Sequence, residues 1–356
     1  MRIFLDASGG DYAPAAPVEG ALIALRADAS LQILLAGPQQ VLLPYLEGAG
    51  DVMERITVVD APEEITNHES PVMAVRRKNR SPVVMGMLAL KKGEADRFET
   101  DRLEADGFVS CGSTGAVLAG AMFRLGRIPG VERPALAPMI PNGKSGFLLV
   151  DCGANVDCQP LWLAQFGLMG AAYMQGVMGL ENPRVGLVNI GAEAEKGNRL
   201  VKETYPLMET APYTFVGNVE ARDITMDMAD VLVADGFSGN LILKFMEGVA
   251  DTLMGVIKHE IMADTRGKIG GLMLKPAFRR VAKIFDYSEI GGAPLLGVSG
   301  AVVKAHGSSR GNAVAGAIRQ AVKMVSGDVT RKITENLMRI VPPAQDTNEK
   351  NDEGVR

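Results

Sequence analysis

Short apolar runs bounded by turn residues recur along this 356-residue chain, and segments of helix length separate many of them. Each run is long enough for a buried strand, and alternation of strand and helix is typical of α/β folds with parallel strands. We therefore expect an α/β fold with a largely parallel sheet and helices on both faces. The predicted strands are Arg2 to Asp6, Leu31 to Ala36, Ile56 to Val59, Gly107 to Ser110, Phe147 to Asp151, Arg184 to Ile190, Tyr213 to Val216 and Val231 to Ala234.

Polar turns that contain glycine follow five of these predicted strands, and a sixth precedes a predicted helix. The carboxyl ends of parallel strands meet at one edge of a sheet, where α/β proteins bind their ligands. Several such turns at one rim therefore indicate a binding cleft more specifically than any single turn does. The turns cover residues 6–11, 112–115, 151–155, 191–198, 235–240 and 306–312.

The turn at residues 112–115 has the features of an anion site. A helix that begins there leaves backbone N–H groups without intrahelical partners and carries a partial positive charge, while Gly112 and Gly115 leave room for a ligand. Ser113 and Thr114 add hydroxyl donors, so phosphate or carboxylate is the expected ligand. The glycine spacing matches neither the dinucleotide fingerprint nor the P-loop.

Composition and charge narrow the class of protein. Hydrophobic residues make up 47% and charged residues 22% of the chain, as in an ordinary globular enzyme, and a net charge of -5 argues against nucleic acid as the main partner. The first residues lack the regions of a secretion signal, and the three cysteines have no metal-ligand spacing, so we expect an intracellular protein without a metal site. Residues 158–180 lack charged side chains but are interrupted by proline, glutamine and glycine, which favours a buried helix over a membrane span.

The predicted organisation is one large α/β domain over residues 1–342 and a disordered polar tail over residues 343–356. Residues 251–290 break the pattern, because two long helical stretches flank residues 269–276 with no strand between them. We expect a helical hairpin there that projects from the sheet and carries an excess of basic side chains. The acidic segment at residues 94–106 repeats Glu-Ala-Asp at both ends and is interpreted as a solvated insertion.

Two cationic or titratable side chains are candidates for chemistry. Lys196 lies in a glycine-bounded turn after a predicted strand and can act as a point charge for phosphate or a developing oxyanion, or simply neutralise Glu193 and Glu195 in a solvated loop. His306 can orient phosphate or transfer a proton, or its ring can hydrogen-bond within its own turn. Cys111 lacks a partner base in the sequence, so a small buried residue is favoured over a nucleophile.

Six motifs occur in a fixed order along the chain: Leu5-Asp-Ala-Ser-Gly-Gly-Asp11, Cys111-Gly-Ser-Thr-Gly-Ala116, Asp151-Cys-Gly-Ala-Asn155, Glu195-Lys-Gly-Asn198, Ala234-Asp-Gly-Phe-Ser-Gly-Asn240 and His306-Gly-Ser-Ser309. With them the chain resembles the bacterial phosphate acyltransferase family, PlsX, over nearly all of residues 1–330. The resemblance implies a fold similar to isocitrate dehydrogenase and phosphotransacetylase. It also implies transfer of a fatty acyl group from acyl carrier protein to inorganic phosphate, giving acyl phosphate for phospholipid synthesis without a cofactor. Ser113 stands where the family favours Asn.

The resemblance implies a mechanism in which phosphate attacks the thioester carbonyl directly, because no Cys or Ser triad is apparent. Lys196 and His306 are then the candidate catalytic residues. The candidate phosphate- or substrate-binding residues are Asp6, Asp11, Gly112, Ser113, Thr114, Gly115, Asn155, Asn198, Asp235, Ser238, Asn240 and Ser308.

The resemblance also implies a homodimer that associates peripherally with the inner face of the cell membrane and supplies a downstream membrane glycerol-3-phosphate acyltransferase. Leu272, Met273 and Leu274 at the expected hairpin tip lie among basic residues, the combination expected for shallow insertion at an anionic surface, although a dimer contact is the alternative. The carrier protein is expected to dock on the hairpin or on the basic cluster Arg76–Arg80. A phosphotransacetylase that uses acyl-CoA and a membrane-bound scaffold without chemistry are the competing functions.

Overall fold

The protein is described by a computed structural model that covers residues 1–66, 68–91, 103–284 and 291–337. The expected tail at residues 343–356 and most of the acidic segment at residues 94–106 lie outside the described residues.

The described strands alternate with helices along most of the chain. The strands are β1 (Arg2–Asp6), β2 (Gln32–Gly37), β3 (Ile56–Asp60), β4 (Gly107–Ser110), β5 (Ala135–Leu136), β6 (Met139–Ile140), β7 (Phe147–Val150), β8 (Arg184–Asn189), β9 (Thr214–Glu220), β10 (Val231–Val233), β11 (Ala293–Leu296) and β12 (Ala301–Lys304). The α-helices are α1 (Ala15–Ala27), α2 (Gln39–Leu42), α3 (Pro71–Arg77), α4 (Pro82–Ala89), α5 (Thr114–Gly120), α6 (Pro160–Val177), α7 (Arg199–Glu209), α8 (Gly236–Met262), α9 (Thr265–Ile284), α10 (Gly311–Ser326) and α11 (Val329–Leu337).

The described strands form two sheets. The first has the order β3-β2-β1-β4-β12-β11-β5 and is parallel from β3 to β12. At its end β11 pairs antiparallel with β12, and β5 pairs antiparallel with β11. The second has the order β6-β7-β10-β8-β9 and is parallel except for β6. Because β5 and β6 are consecutive in the chain but belong to different sheets, a short connection ties the edges of the two sheets together.

One hydrophobic core joins the two sheets. Neighbouring side chains of β1 point to opposite faces, as the period of a strand requires: Ile3 and Leu5 pack in the core on one face and Phe4 in the core on the other. The core on the Ile3 face continues through α6, where Phe166 is fully buried, to Val231 of the second sheet. Burial of strands on both faces explains why their sequences are continuous apolar runs.

The α/β fold with helices on both faces and mostly parallel strands is confirmed. All eight predicted strands are present, with ends shifted by a few residues at most, and residues 160–177 form the expected buried helix. Four described strands, β5, β6, β11 and β12, were not predicted, and the strands divide between two sheets where the sequence indicated one. None of the helices in the described part of the chain is long and apolar enough to cross a membrane.

The helical hairpin is confirmed, but its predicted tip is wrong. The structure places the turn at Ala263 and Asp264, so Leu272, Met273 and Leu274 lie inside α9. The carboxylate of Asp264 accepts a hydrogen bond of 2.6 Å from the N–H of Gly267, which stabilises the first turn of α9 in the manner of a helix cap. The hairpin is also longer than expected, because α8 begins directly after β10.

Candidate active site

Three glycine turns converge at the carboxyl ends of the neighbouring strands β1, β4 and β12. The buried carboxylate of Asp6 ends β1, and its Oδ1 accepts hydrogen bonds from the N–H groups of Ser8 and Gly9 at 3.0 and 3.1 Å. Its Oδ2 accepts a 2.7 Å bond from Ser110 Oγ, which in turn accepts from the N–H of Gly112 at 2.9 Å. Burial raises the pKa of Asp6, while these donors oppose the shift. Asp6 therefore stabilises the turns after β1 and β4 through these hydrogen bonds. Its direct contact with substrate stays a prediction.

The turns touch through their backbones. A Cβ added to Gly9 would lie 2.5 Å from the nitrogen and 2.9 Å from the Cα of Gly112. Gly10 has a φ of +102°, and an added Cβ would lie 2.8 Å from the Cβ of Cys111. The N–H of Asp11 donates to the carbonyl of Gly307 at 2.8 Å, so the third turn joins the other two. Only glycine permits this close approach.

The predicted anion turn opens α5 as expected. Ser113 occupies the N-cap position, but its hydroxyl makes no capping hydrogen bond, and Thr114 is the first helical residue. Gly115 faces helix α3, because an added Cβ would lie 2.8 Å from the ring of Pro71. The first N–H groups of the helix and the free hydroxyl of Ser113 are therefore available to an anion.

His306 is exposed beside these turns. Its Nδ1 lies 2.7 Å from the hydroxyl of Ser308 and accepts a 3.2 Å hydrogen bond from the N–H of the same residue. The ring therefore bonds within its own turn, as one of the two predicted roles requires, and its Nε2 edge stays available for a ligand. Arg310 lies nearby with its guanidinium 4.4 Å from the centre of the Tyr12 ring.

The turn after β7 is organised by a second buried carboxylate. Oδ1 of Asp151 accepts from the N–H groups of Leu136 and Ala154 at 2.8 and 3.2 Å, and Oδ2 accepts from the N–H and the side-chain amide of Asn155 at 2.6 and 3.0 Å. Burial raises the pKa of Asp151 to about 6. The amide of Asn155 also donates to the carbonyl of Pro134 at 2.8 Å, so this predicted substrate residue is engaged in holding the turn.

The turn after β10 packs against the Asp151 turn. Asp235 caps α8, accepting hydrogen bonds from the N–H of Ser238 at 2.9 Å and from its hydroxyl at 2.8 Å. The N–H of Gly236 donates to the carbonyl of Asn155 at 2.7 Å, and a Cβ on Gly239 would overlap the carbonyl oxygen of Asp151. The side chain of Asn240 lies close to Gly153. These predicted residues are thus brought together at the second sheet.

Lys196 lies further along the second sheet. Its loop is held by Asn189, whose amide donates to the Lys196 carbonyl at 3.0 Å, and by Asn218, whose amide donates to the Glu193 carbonyl at 2.8 Å. The Lys196 side chain is exposed. Asn198 caps α7 as predicted, accepting a 3.0 Å bond from the N–H of Val201. No described hydrogen bond joins this loop to the turns of the first sheet.

A small pocket lies between the two groups of turns. Thr114 and Lys304 line it from the first sheet and Ala154 lines it from the Asp151 turn. Its other lining residues are apolar: Val117, Leu118, Leu136 and Leu295. The anion turn, the Asp151 turn and Lys304 therefore meet around a small pocket with an apolar lining.

Lys304 is the residue in this pocket that the sequence analysis missed. It is 8% exposed at the end of β12, and burial lowers its pKa. The one available signal was a lysine that ends an apolar run just before His306. Cys111, by contrast, is the small buried residue that was predicted, and burial raises its pKa to about 12.

Comparison with known proteins finds a family model and close relatives that match most of the chain. Residues 1–332 match the family model described as fatty acid synthesis protein. The chain is 45% identical over 337 residues to the phosphate acyltransferase of Clostridium novyi, covering 95% of this chain and 98% of that protein. It is 47% identical over 337 residues to the phosphate acyltransferase of Clostridium acetobutylicum, covering 95% and 99%.

Solved structures show the same fold at low sequence identity. A phosphotransacetylase from Streptococcus pyogenes superposes with a TM-score of 0.57 at 16% identity, covering 93% of this chain and 94% of that one. A branched-chain phosphotransacylase from Enterococcus faecalis gives 0.56 at 15% identity, covering 91% and 99%. With its ordered motifs, its cleft of glycine turns and these relatives, the chain belongs to the phosphate acyltransferase (PlsX) family, and it is an acyltransferase that transfers an acyl group to phosphate.

Proposed function

We propose that this enzyme takes a fatty acyl group from the thioester of acyl carrier protein and passes it to inorganic phosphate in the cleft between the two sheets. The observation that carries the proposal is the convergence of the turns after β1, β4 and β12 beside a pocket that the Asp151 turn also lines. The turns offer donors to phosphate, and the apolar lining of the pocket lies next to them.

The transfer needs no covalent enzyme intermediate. An oxygen of hydrogen phosphate attacks the thioester carbonyl, the tetrahedral intermediate expels the thiolate, and the proton of the phosphate passes to the thiolate. The products are acyl phosphate and the thiol of the carrier. The protein supplies proximity and orientation for the two reactants and donors for the oxyanion. The raised pKa values of Cys111 and Cys152 support a reaction without a thiolate of the enzyme.

We assign the first-sheet turns to phosphate. The N–H groups of Ser113 to Gly115 and the hydroxyls of Ser113 and Thr114 hold it beside Gly112, and His306 and Ser308 flank it. Lys196 is assigned to the oxyanion from the second sheet, and Asn240 to the substrate. Asp6, Asp11, Asn155, Asn198, Asp235 and Ser238 hold the turns in shape, either through the hydrogen bonds of their side chains or, at Asp11, through the backbone.

A comparison of turnover with two acyl donors tests which donor the enzyme uses. Because a carrier protein contributes a docking surface that coenzyme A lacks, kcat/KM for palmitoyl-acyl carrier protein is expected to exceed that for palmitoyl-CoA at least about tenfold. Acyl phosphate formed from purified substrates is measured by conversion to the hydroxamate. Heat-denatured enzyme is the control. Equal or higher kcat/KM for palmitoyl-CoA would favour the phosphotransacetylase-like alternative. Absence of acyl phosphate with either donor would favour a scaffold protein without chemistry.

We further propose that the enzyme is a homodimer that sits on the cytoplasmic face of an anionic membrane, where acyl phosphate passes to a membrane acyltransferase. The support is the exposed apolar surface of the hairpin. On α9, Leu272, Met273 and Leu274 are 72%, 78% and 52% exposed. On α8 the exposed apolar side chains recur at three- or four-residue intervals on one face: Phe237, Leu241, Phe245, Val249, Leu253 and Val256.

Two variants separate membrane contact from assembly. The double variant Leu272→Asp with Leu274→Asp is expected to lose most flotation with vesicles of anionic phospholipid while keeping the mass of a dimer, because charges oppose insertion of α9. Phe245→Asp is expected to reduce the mass to that of a monomer. Flotation and light scattering after gel filtration measure the two properties. If the double variant floats like the wild type but becomes monomeric, these residues serve assembly.

A further inference from the structure

Lys304 occupies a central position that no motif assigned to it. In the first sheet it pairs with Ser110 of β4, so it lies beside the strand that leads into the anion turn. The residue lines the pocket together with Thr114 of that turn and with Ala154 of the opposite sheet. Lys304 therefore lies where the two halves of the cleft meet.

The ammonium group of Lys304 is buried without an ion pair. The residue is 8% exposed, and its Nζ donates to the backbone carbonyl of Ala305. Within residues 1–66, 68–91, 103–284 and 291–337 no carboxylate forms an ion pair with it. A buried charge that lacks an opposite charge is costly, so proteins normally pair it or place it where a ligand will do so.

Two carboxylates, Asp6 and Asp11, favour the charged form of Lys304 but form no ion pair with it. Asp6 favours the charged form of Lys304, but its oxygens accept hydrogen bonds from Ser8, Gly9 and Ser110. Asp11 has the same effect from the adjacent turn, while Lys244 of α8 opposes it. The ammonium carries three N–H donors, and the Ala305 carbonyl takes one of them. The other two donors have no hydrogen-bond partner among the described residues.

We propose that Lys304 binds the inorganic phosphate nucleophile directly through its Nζ, and that this residue supplies the positive charge on the first-sheet side of the cleft. The inference rests on the proposed function for the identity of the anion. Lys304 thereby neutralises phosphate charge beside Thr114, and phosphate completes the pairing of the buried ammonium. Lys196 is left to act from the second sheet.

Phosphate binding in the absence of an acyl donor tests this role. Isothermal titration with inorganic phosphate is compared for the wild type, Lys304→Met and the control Lys323→Met, an exposed lysine in the last turn of α10. We expect Lys304→Met to weaken binding about tenfold or more, as loss of a charged hydrogen bond does, and Lys323→Met to leave it unchanged. Because removal of an unpaired buried charge is neutral or stabilising, the thermal unfolding midpoint of Lys304→Met without phosphate should equal or exceed that of the wild type.

Unchanged phosphate affinity in folded Lys304→Met would overturn the inference. A lower unfolding midpoint together with unchanged affinity would in addition show that Lys304 has a structural role. If Lys304→Met does not fold, reductive methylation of the wild type decides: phosphate should slow methylation of Lys304 and leave that of Lys323 unchanged, as read by mass spectrometry. Equal rates at Lys304 with and without phosphate would contradict direct binding.

Failure of the inference and failure of the proposed function are distinguishable. If the wild type forms acyl phosphate from the acylated carrier protein while Lys304→Met keeps its phosphate affinity, only the role of Lys304 is wrong. If neither donor yields acyl phosphate but phosphate binding depends on Lys304, the site stands and the proposed reaction is wrong.

Discussion

Replacing Gly239 with alanine will lower the free energy of unfolding by about 3 kcal/mol, a cost typical of severe overpacking. The added Cβ would overlap the carbonyl oxygen of Asp151 at the contact between the first turn of α8 and the turn after β7. Neither partner can move easily, because Asp151 is held by four hydrogen bonds and Asp235 caps the helix. Unfolding in urea, followed by circular dichroism, measures the change.

Gly248 in the same helix provides the matched control. An added Cβ there would meet no atom within 4 Å, and the residue is exposed. Gly248→Ala is therefore expected to raise the free energy of unfolding by about 0.5–1 kcal/mol, the helix preference of alanine over glycine. Equal stability of the Gly239→Ala and Gly248→Ala variants would show that the α8 contact with the Asp151 turn is not rigid.

Replacing Gly9 with alanine will reduce acyl phosphate formation about a hundredfold, the scale of loss expected when reacting groups are displaced by about 1 Å. The added Cβ would lie 2.5 Å from the nitrogen of Gly112, too close for any real contact, so the anion turn must shift. The N–H groups that we assign to phosphate shift with it. Initial rates at varied phosphate concentration measure the effect, and kcat/KM for phosphate is the parameter expected to fall.

Gly48→Ala is the control for this variant. Gly48 is an exposed glycine between β2 and β3 with nothing within 4 Å of an added Cβ, so the Gly48→Ala variant is expected to keep wild-type rates. Thermal unfolding checks that Gly9→Ala is folded under assay conditions. A folded Gly9→Ala variant with wild-type kcat/KM would remove the Gly112 turn from phosphate binding.

The central strands were predictable because each is buried on both faces and reads as a continuous apolar run. β1 and β4 are examples in which local sequence and tertiary burial agree. β5 and β6 have two residues each and owe their existence to partners β11 and β7, so no local period marks them. The hairpin turn was misplaced because Gly270, Gly271 and Pro276 suggested a break, whereas α9 runs through all three.

The glycine turns of the site were predictable, since close backbone approach and polar capping leave a local signature. Gly112 and Asp235 show it clearly. The burial of Lys304 was not predictable, because it depends on β4 beside it and on the second sheet opposite. The bond between Asp151 and the N–H of Leu136 likewise joins residues whose proximity is set by the two-sheet architecture.

Helix α8 links the cleft to the outer end of the hairpin. Its 27 residues span about 40 Å from the cleft, where Gly239 is locked against Asp151, to the far end of the hairpin. The far end of the hairpin and the Asp151 turn are therefore joined by one continuous helix.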